Sequence, residues 1–208
     1  MINTDNMPPE VISKIIAIDP FYPEPSLVSM AGQYLRAGKK VIFPTETVYG
    51  LGVNAENEPS ILEVYDIKKR PRDKPFSYHF ASLDEYFRFS GNGCDADARE
   101  WFHKLIPHPV TLIYYDNVRK IKIGVRIPDH PVAKAILKEA GCPVLAPSAN
   151  FSGDPPPVSI DEINPLLAQR MDLIVDSGKT DNLKESTVID ISVNPVKVLR
   201  QGAYIFNG

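Results

Sequence analysis

Only two cysteines, Cys94 and Cys142, occur in 208 residues. They are too far apart for a CxxC pair, so the chain is expected to be a cytoplasmic protein with reduced thiols and no disulfide staple. The four histidines, His79, His103, His108 and His130, follow neither an HxxxH nor an HExxH spacing, which argues against a metal cage built by the protein itself. No apolar run approaches the roughly 18 residues that cross a bilayer. The opening "MINTDNMPPEVISK" has neither the basic nor the apolar region of a secretion signal. There is no GxxxxGK[ST], and the "GLG" at 50–52 lacks the third glycine of GxGxxG, so the usual phosphate loops are missing. Internal repeats and low-complexity segments are absent as well. A formal net charge of −3 excludes a surface that is basic throughout and holds nucleic acid by phosphate neutralisation.

What remains is ordinary globular material, 43% hydrophobic and 24% charged, enough for one domain over 1–208 with residues 1–19 as an N-terminal extension. Helix and strand patterns alternate. Leu27, Met30, Ala31, Tyr34 and Leu35 keep helical spacing, with Gly38 placed as a cap. A second helix opens near Pro59, holds Lys68, Lys69 and Arg70 in its last turn, and stops at Pro71. Ser82 with Glu85, and Ser159 with Glu162, have the capping-box pattern. Ala98, Phe102 and Leu105 mark a further helical face, and another helix is expected over 131–140. Strands are expected at 41–43, 76–80, 110–115, 143–146, 172–175, 187–191 and 196–200. "KIKIGVRIP" alternates, with Ile121, Ile123, Val125 and Ile127 on one side and Lys120, Lys122, Gly124 and Arg126 on the other. The fold class is α/β with a mixed sheet.

Four strands are followed at once by polar clusters: "PTETVYG", "PSANFSG", "STVID" and "LRQG". Ligands of open α/β sheets bind beyond strand ends. The segment Lys68–Lys74 adds five cations against one aspartate. Convergence of these groups on one anionic, hydrogen-bonding ligand is the expectation. Each piece alone has a plainer reading. The basic segment is a solvated helix end, "PTETVYG" a loop that holds its own backbone, His79 a core histidine, and Arg200 a snorkelling strand end. Trp101 and Phe102 read as core, and Pro155–Pro157 as a stiff linker or a lid.

Taken in order, "FPTETVYGLG", "KKRP…KPF", "GVRIP", "APSANFSG", "ESTVID" and "VLRQG" resemble the YrdC family, whose signature is K-x-R followed by S-x-N. The two halves here are Lys68-Lys69-Arg70 and Ser148-Ala149-Asn150, and the resemblance runs from about residue 20 to 203. It implies a twisted mixed sheet flanked by helices, YrdC- or DHBP synthase-like, around a large concave cavity. It also implies an L-threonylcarbamoyladenylate synthase, a nucleotidyltransferase that joins L-threonine, bicarbonate or CO2, and ATP with release of pyrophosphate. The product feeds threonylcarbamoyl transferase machinery acting on adenosine 37 of tRNA. By motif, Thr47, His79, Arg126 and Ser186 would hold threonine. Arg70, Lys74, Ser148, Asn150 and Arg200 would hold ATP, and Lys68 with Arg70 would act on the phosphates. Mg²⁺ would arrive with ATP.

The resemblance also carries alternatives from other classes: a module binding double-stranded RNA or tRNA, or a silent paralogue of the same fold. It is imperfect at "IPHPVT", which lacks a glycine common in relatives, so Thr111 is given no role. Lys122 stands where a small hydroxyl residue often meets ATP. The chemistry suits these side chains, because joining a carbamate to the α-phosphorus needs positioning and charge neutralisation more than a general base. A site that bonds the substrate hydroxyl would reject valine and turn over serine modestly.

Overall fold

The computed structural model of the chain describes residues 14–207. Its strands are β1 (Lys14–Ala17), β2 (Val41–Phe43), β3 (Gly50–Asn54), β4 (Tyr78–His79), β5 (Val110–Asp116), β6 (Ile121–Arg126), β7 (Val144–Leu145), β8 (Leu173–Asp176), β9 (Thr187–Asp190) and β10 (Lys197–Arg200). They form a ten-stranded twisted sheet in the order β1-β8-β2-β3-β7-β4-β6-β5-β9-β10. Pairs β1/β8, β2/β8, β4/β6 and β5/β9 are parallel and the remainder antiparallel, so the sheet is mixed as expected. The helices are α1 (Pro25–Arg36), α2 (Glu58–Lys68), α3 (Leu83–Ser90), α4 (Ala96–Leu105), α5 (Pro131–Ala140) and the short α6 (Pro165–Ala168). No helix among the described residues is long and apolar enough to cross a membrane.

Three clusters of buried side chains bind the helices to the sheet. Leu35 and Val28 of α1 and Ile136 and Leu137 of α5 pack on Val41, Phe43, Leu173 and Val175. Val64 and Ile67 of α2 pack with Leu51 and Val53 of β3 and with Ile42 and Ile174, which alternate with Val41, Phe43, Leu173 and Val175 along β2 and β8 and therefore lie on the other face. Phe102 and Leu105 of α4 and Tyr86 of α3 cover Leu112, Tyr114, Ile123, Val125 and Ile189. Alternation then sends Thr111, Ile113, Gly124, Arg126 and Val188 to the face opposite α3 and α4.

Local chemistry sets the boundaries. Asn57 accepts from the Ser60 amide to cap α2, Ser82 caps α3, and Asp95 caps α4. The second helix ends earlier than its charge pattern implies. Lys69 has φ of 52°, the left-handed conformation that closes a helix, and Arg70 lies outside. The Ser159–Glu162 pattern opens only a single 3₁₀ turn at Ile160–Glu162. Two strands go beyond the sequence expectation. Lys14–Ala17, within the extension ending near residue 19, pairs with β8 at the sheet edge; residues 1–13 of that extension lie outside the described residues. Gly50–Asn54 has the look of a loop in sequence because its glycines lower strand propensity. A Cβ at Gly52 would come within 2.6 Å of the Phe43 ring, so the strand needs glycine for close approach.

Candidate active site

The alternate positions left uncovered by α3 and α4 floor a cleft of about 240 Å³. Its lining includes Arg70, His79, Arg126, Ser148, Ser186 and Arg200, which come from separate segments of the chain. Topology collects them: β4 lies between β7 and β6, and β9 beside β5. A larger hollow of about 600 Å³ lies near the far end of β5. It sets Asp95, Asp97 and Glu100 against Lys104, the wrong balance for a phosphate.

His79 and Arg126 are register partners on β4 and β6. Arg126 Nη2 donates to Glu46 Oε1 at 2.9 Å and to Thr47 Oγ1 at 2.6 Å. Both hydrogens of Nη2 are thereby committed, and Nη1 is the end left for a ligand. Burial, and then the Arg126 charge, hold the His79 pKa down at about 3. The ring is neutral. Its Nδ1 lies 3.2 Å from the Ser77 carbonyl, which can only accept, so Nδ1 carries the proton and Nε2 is an acceptor.

On the other side, Arg70 donates from Nε to the Lys74 carbonyl at 2.8 Å and from Nη2 to the Pro75 carbonyl at 3.3 Å. These bonds, with the Phe76 ring 5.4 Å from the guanidinium carbon, aim the side chain at the cleft. Arg200 stands after a register shift in β10 that bends the strand back. Its Nε and Nη2 bond the Ser186 carbonyl, and Nη1 bonds Glu185 at 2.5 Å. Gly202 makes this clamp feasible, since a Cβ there would fall 2.2 Å from the Glu185 carbonyl oxygen.

Four expected ligand residues do not line the cleft. Thr47 is fully buried behind Arg126 as a second acceptor for its guanidinium, and Thr45 and Val48 take the lining position instead. Lys68 is 2% exposed, and its ammonium donates to the carbonyls of Ser148 and Asn150, with Asn150 Oδ1 at 3.4 Å. It therefore pins the Ser148–Asn150 turn. Burial, followed by repulsion from Arg70, lowers its pKa to about 7. Asn150 accepts from Ser148 Oγ at 2.6 Å and donates to the Asp154 carbonyl. Lys74 is exposed and contributes its backbone carbonyl to Arg70.

The hydroxyls of "PTETVYG" largely hold the chain itself. Thr45 donates to the Val48 carbonyl and Tyr49 to the Gly178 carbonyl. Lys122 is paired with Asp190 at 2.9 Å. The proline run is tied down at Pro157, whose carbonyl accepts from the Tyr49 amide at 2.9 Å. Sequence reasoning missed Ser77, Thr111 and Glu185, all of which line the cleft. Period-two alternation from His79 would have found Ser77; Glu185 has no such signal.

Such a fold and cleft define a class: an α/β protein that gathers three arginines, a neutral histidine and several hydroxyls around one small polar ligand site. The Sua5/YciO/YrdC family, described as telomere recombination, matches residues 33–202, and the chain belongs to it. A Bacillus subtilis relative named threonylcarbamoyl-AMP synthase is 35% identical over 84% of this chain and 53% of its own length. The structure of Pyrococcus abyssi Sua5 complexed with L-threonine superposes with a TM-score of 0.79 at 33% identity, covering 91% of this chain and 58% of that one. Escherichia coli YciO gives 0.80 at 27% identity, covering 91% and 96%. The chain thus spans about half the length of two curated synthase relatives it matches, 53% and 54%.

Proposed function

We infer that this chain is an L-threonylcarbamoyladenylate synthase, a nucleotidyltransferase forming threonylcarbamoyl-AMP and pyrophosphate from L-threonine, CO2 or bicarbonate, and ATP. The observation that carries the reading is the shared cleft, in which Arg126, His79 and Ser186 face the same space as Arg70, Ser148 and Arg200. The L-threonine complex of Pyrococcus abyssi Sua5 and the synthase names of the relatives support it over an RNA-binding module or a silent paralogue.

In this reading the threonine amine bonds to the carbon of CO2 and gives up a proton. A carbamate oxygen then bonds to the α-phosphorus as the bond to the bridging oxygen breaks, and pyrophosphate leaves with that electron pair. Arg126 Nη1 orients the carboxylate. His79 Nε2, neutral and an acceptor, takes the substrate hydroxyl hydrogen as a hydrogen bond. Arg70, anchored through Nε and Nη2 to the Lys74 and Pro75 carbonyls, turns Nη1 to the phosphates and stabilises charge that grows on them. Among the described residues no group of three or more His, Cys, Asp or Glu could hold a metal ion. Glu185 is already paired with Arg200. We read Mg²⁺ as carried on ATP, where it would spread phosphate charge. The product passes to a tRNA-modifying transferase in the cytoplasm, a compartment that fits two free thiols.

The test is to incubate the pure protein with ATP, Mg²⁺ and bicarbonate, with and without L-threonine, and to measure pyrophosphate. Threonine-dependent release is expected; release that ignores threonine, or none, overturns the reading.

A further inference from the structure

We propose that Thr111 is a positioning residue that turns the Ser186 hydroxyl into a hydrogen-bond donor aimed at an anionic oxygen of the amino-acid substrate. The proposal rests on the reading of Ser186 as a threonine contact. Both side chains line the cleft and both are buried, 5% and 2% exposed. Thr111 Oγ1 lies 2.8 Å from Ser186 Oγ, a contact in which either can donate.

The third partner decides the direction. Arg200 Nη2 lies 3.3 Å from Ser186 Oγ, and a guanidinium can only donate. A hydroxyl has one hydrogen and two lone pairs. With one lone pair facing Arg200 and the other accepting from Thr111, the only capacity left to Ser186 is its own hydrogen, which is then free for a carboxylate or carbamate oxygen. In the reverse polarity Ser186 spends that hydrogen on Thr111 and offers an anion only a lone pair. An anionic substrate selects the first arrangement.

The fold holds Thr111 in place for this. On β5 it is the register partner of Val188, two residues beyond Ser186. Its methyl points toward Gly124 of β6, where even an added Cβ would be 3.6 Å away. A β-branched side chain with its methyl so placed has a stiff χ1, which leaves Oγ1 turned to β9.

The experiment is a calorimetric double-mutant cycle with L-threonine as the probe, alongside thermal unfolding of each variant. Thr111→Val keeps the shape and removes the donor; it should weaken threonine binding about 10- to 100-fold, the range for a lost bond to a charged group. Thr111→Ser should restore most of the affinity. In a Ser186→Ala background Thr111→Val should change binding less than about two-fold, because neighbours acting as one unit are not additive. Unchanged affinity in Thr111→Val overturns the proposal, as do additive effects in the cycle or a Thr111→Ser variant as weak as Thr111→Val. Wild-type protein that binds threonine without releasing pyrophosphate defeats the synthase reading and leaves this relay standing. Wild-type protein that fails to bind threonine overturns both.

Discussion

Arg126 and Glu46 form an ion pair 2.9 Å long in which no more than 6% of either side chain is exposed. The pair is imperfectly satisfied, because Glu46 Oε2 and Arg126 Nε have no hydrogen-bond partner. Glu46 therefore belongs to the site without touching the cleft: it supplies the charge that lets a guanidinium stay in so dry a place.

Removing one member of a buried pair leaves the other charge uncompensated. Glu46→Ala is expected to lose about 3–5 kcal/mol of stability, read as a lower urea midpoint at unchanged slope. A loss under about 1 kcal/mol would show that Arg126 finds water or another acceptor once Glu46 is gone.

Lys68 makes the stability depend on pH. Its folded pKa is about 7 against an ordinary 10.5. Between these values the unfolded chain binds the additional proton, so the Lys68 contribution to stability rises with pH across that window, by at most about 1.4 kcal/mol per pH unit. Below about 7 both states are protonated and the contribution is flat. Urea titrations of wild type and Lys68→Met, run from neutral pH into the alkaline part of that window, check this, and the variant should lose the upward slope. It should also lose pyrophosphate release through a displaced Ser148–Asn150 turn, with Arg70 still in place. Equal slopes in both proteins would remove Lys68 as the titrating group.

Much of this arrangement is legible in the sequence and some is not, for a physical reason. Period-two alternation in "KIKIGVRIP" puts Arg126 on the polar side of β6, and strand-end polar clusters mark the cleft's rim at Ser148, Ser186 and Arg200. Alternation says which face a side chain takes but not how deep it lies. Thr47 and Lys68 are given ligand roles by the family motif, which says nothing of how deeply either side chain is buried. Their actual partners, Arg126 and the carbonyls of Ser148 and Asn150, are about 80 residues away in sequence. No local pattern can forecast such a pairing. β3 escapes because its glycines answer to the Phe43 ring packed against it, again a non-local demand.

Arg70 carries the nucleotide half of the proposal. Its hydrogen bonds in the structure go to the carbonyls of Lys74 and Pro75, which orient the side chain and leave Nη1 for a ligand. Arg70→Ala should cost about 2–5 kcal/mol of binding or transition-state energy, a fall of roughly 30- to several thousand-fold in threonine-dependent turnover, with circular dichroism unchanged. Arg70→Lys should not rescue it, since an ammonium cannot hold the Lys74 and Pro75 carbonyls as the guanidinium fork does and still present a fixed donor to the ligand. Wild-type turnover in either variant would take Arg70 out of the mechanism.

The substrate hydroxyl gives the last test. Thr45 and Thr47 are committed to Val48 and Arg126, and under the proposed function recognition of the hydroxyl is assigned to the free acceptor of His79. A buried neutral acceptor that loses its partner is left unsatisfied, which is how a site rejects an analogue lacking one hydroxyl. Valine should therefore have a kcat/KM at least about 10²-fold below that of threonine, with serine in between. His79→Phe replaces the acceptor with an apolar ring, and the threonine-to-valine ratio should fall toward one as threonine turnover drops. A ratio that survives this substitution would move hydroxyl recognition away from His79, to Ser186 or Ser77 across the cleft floor.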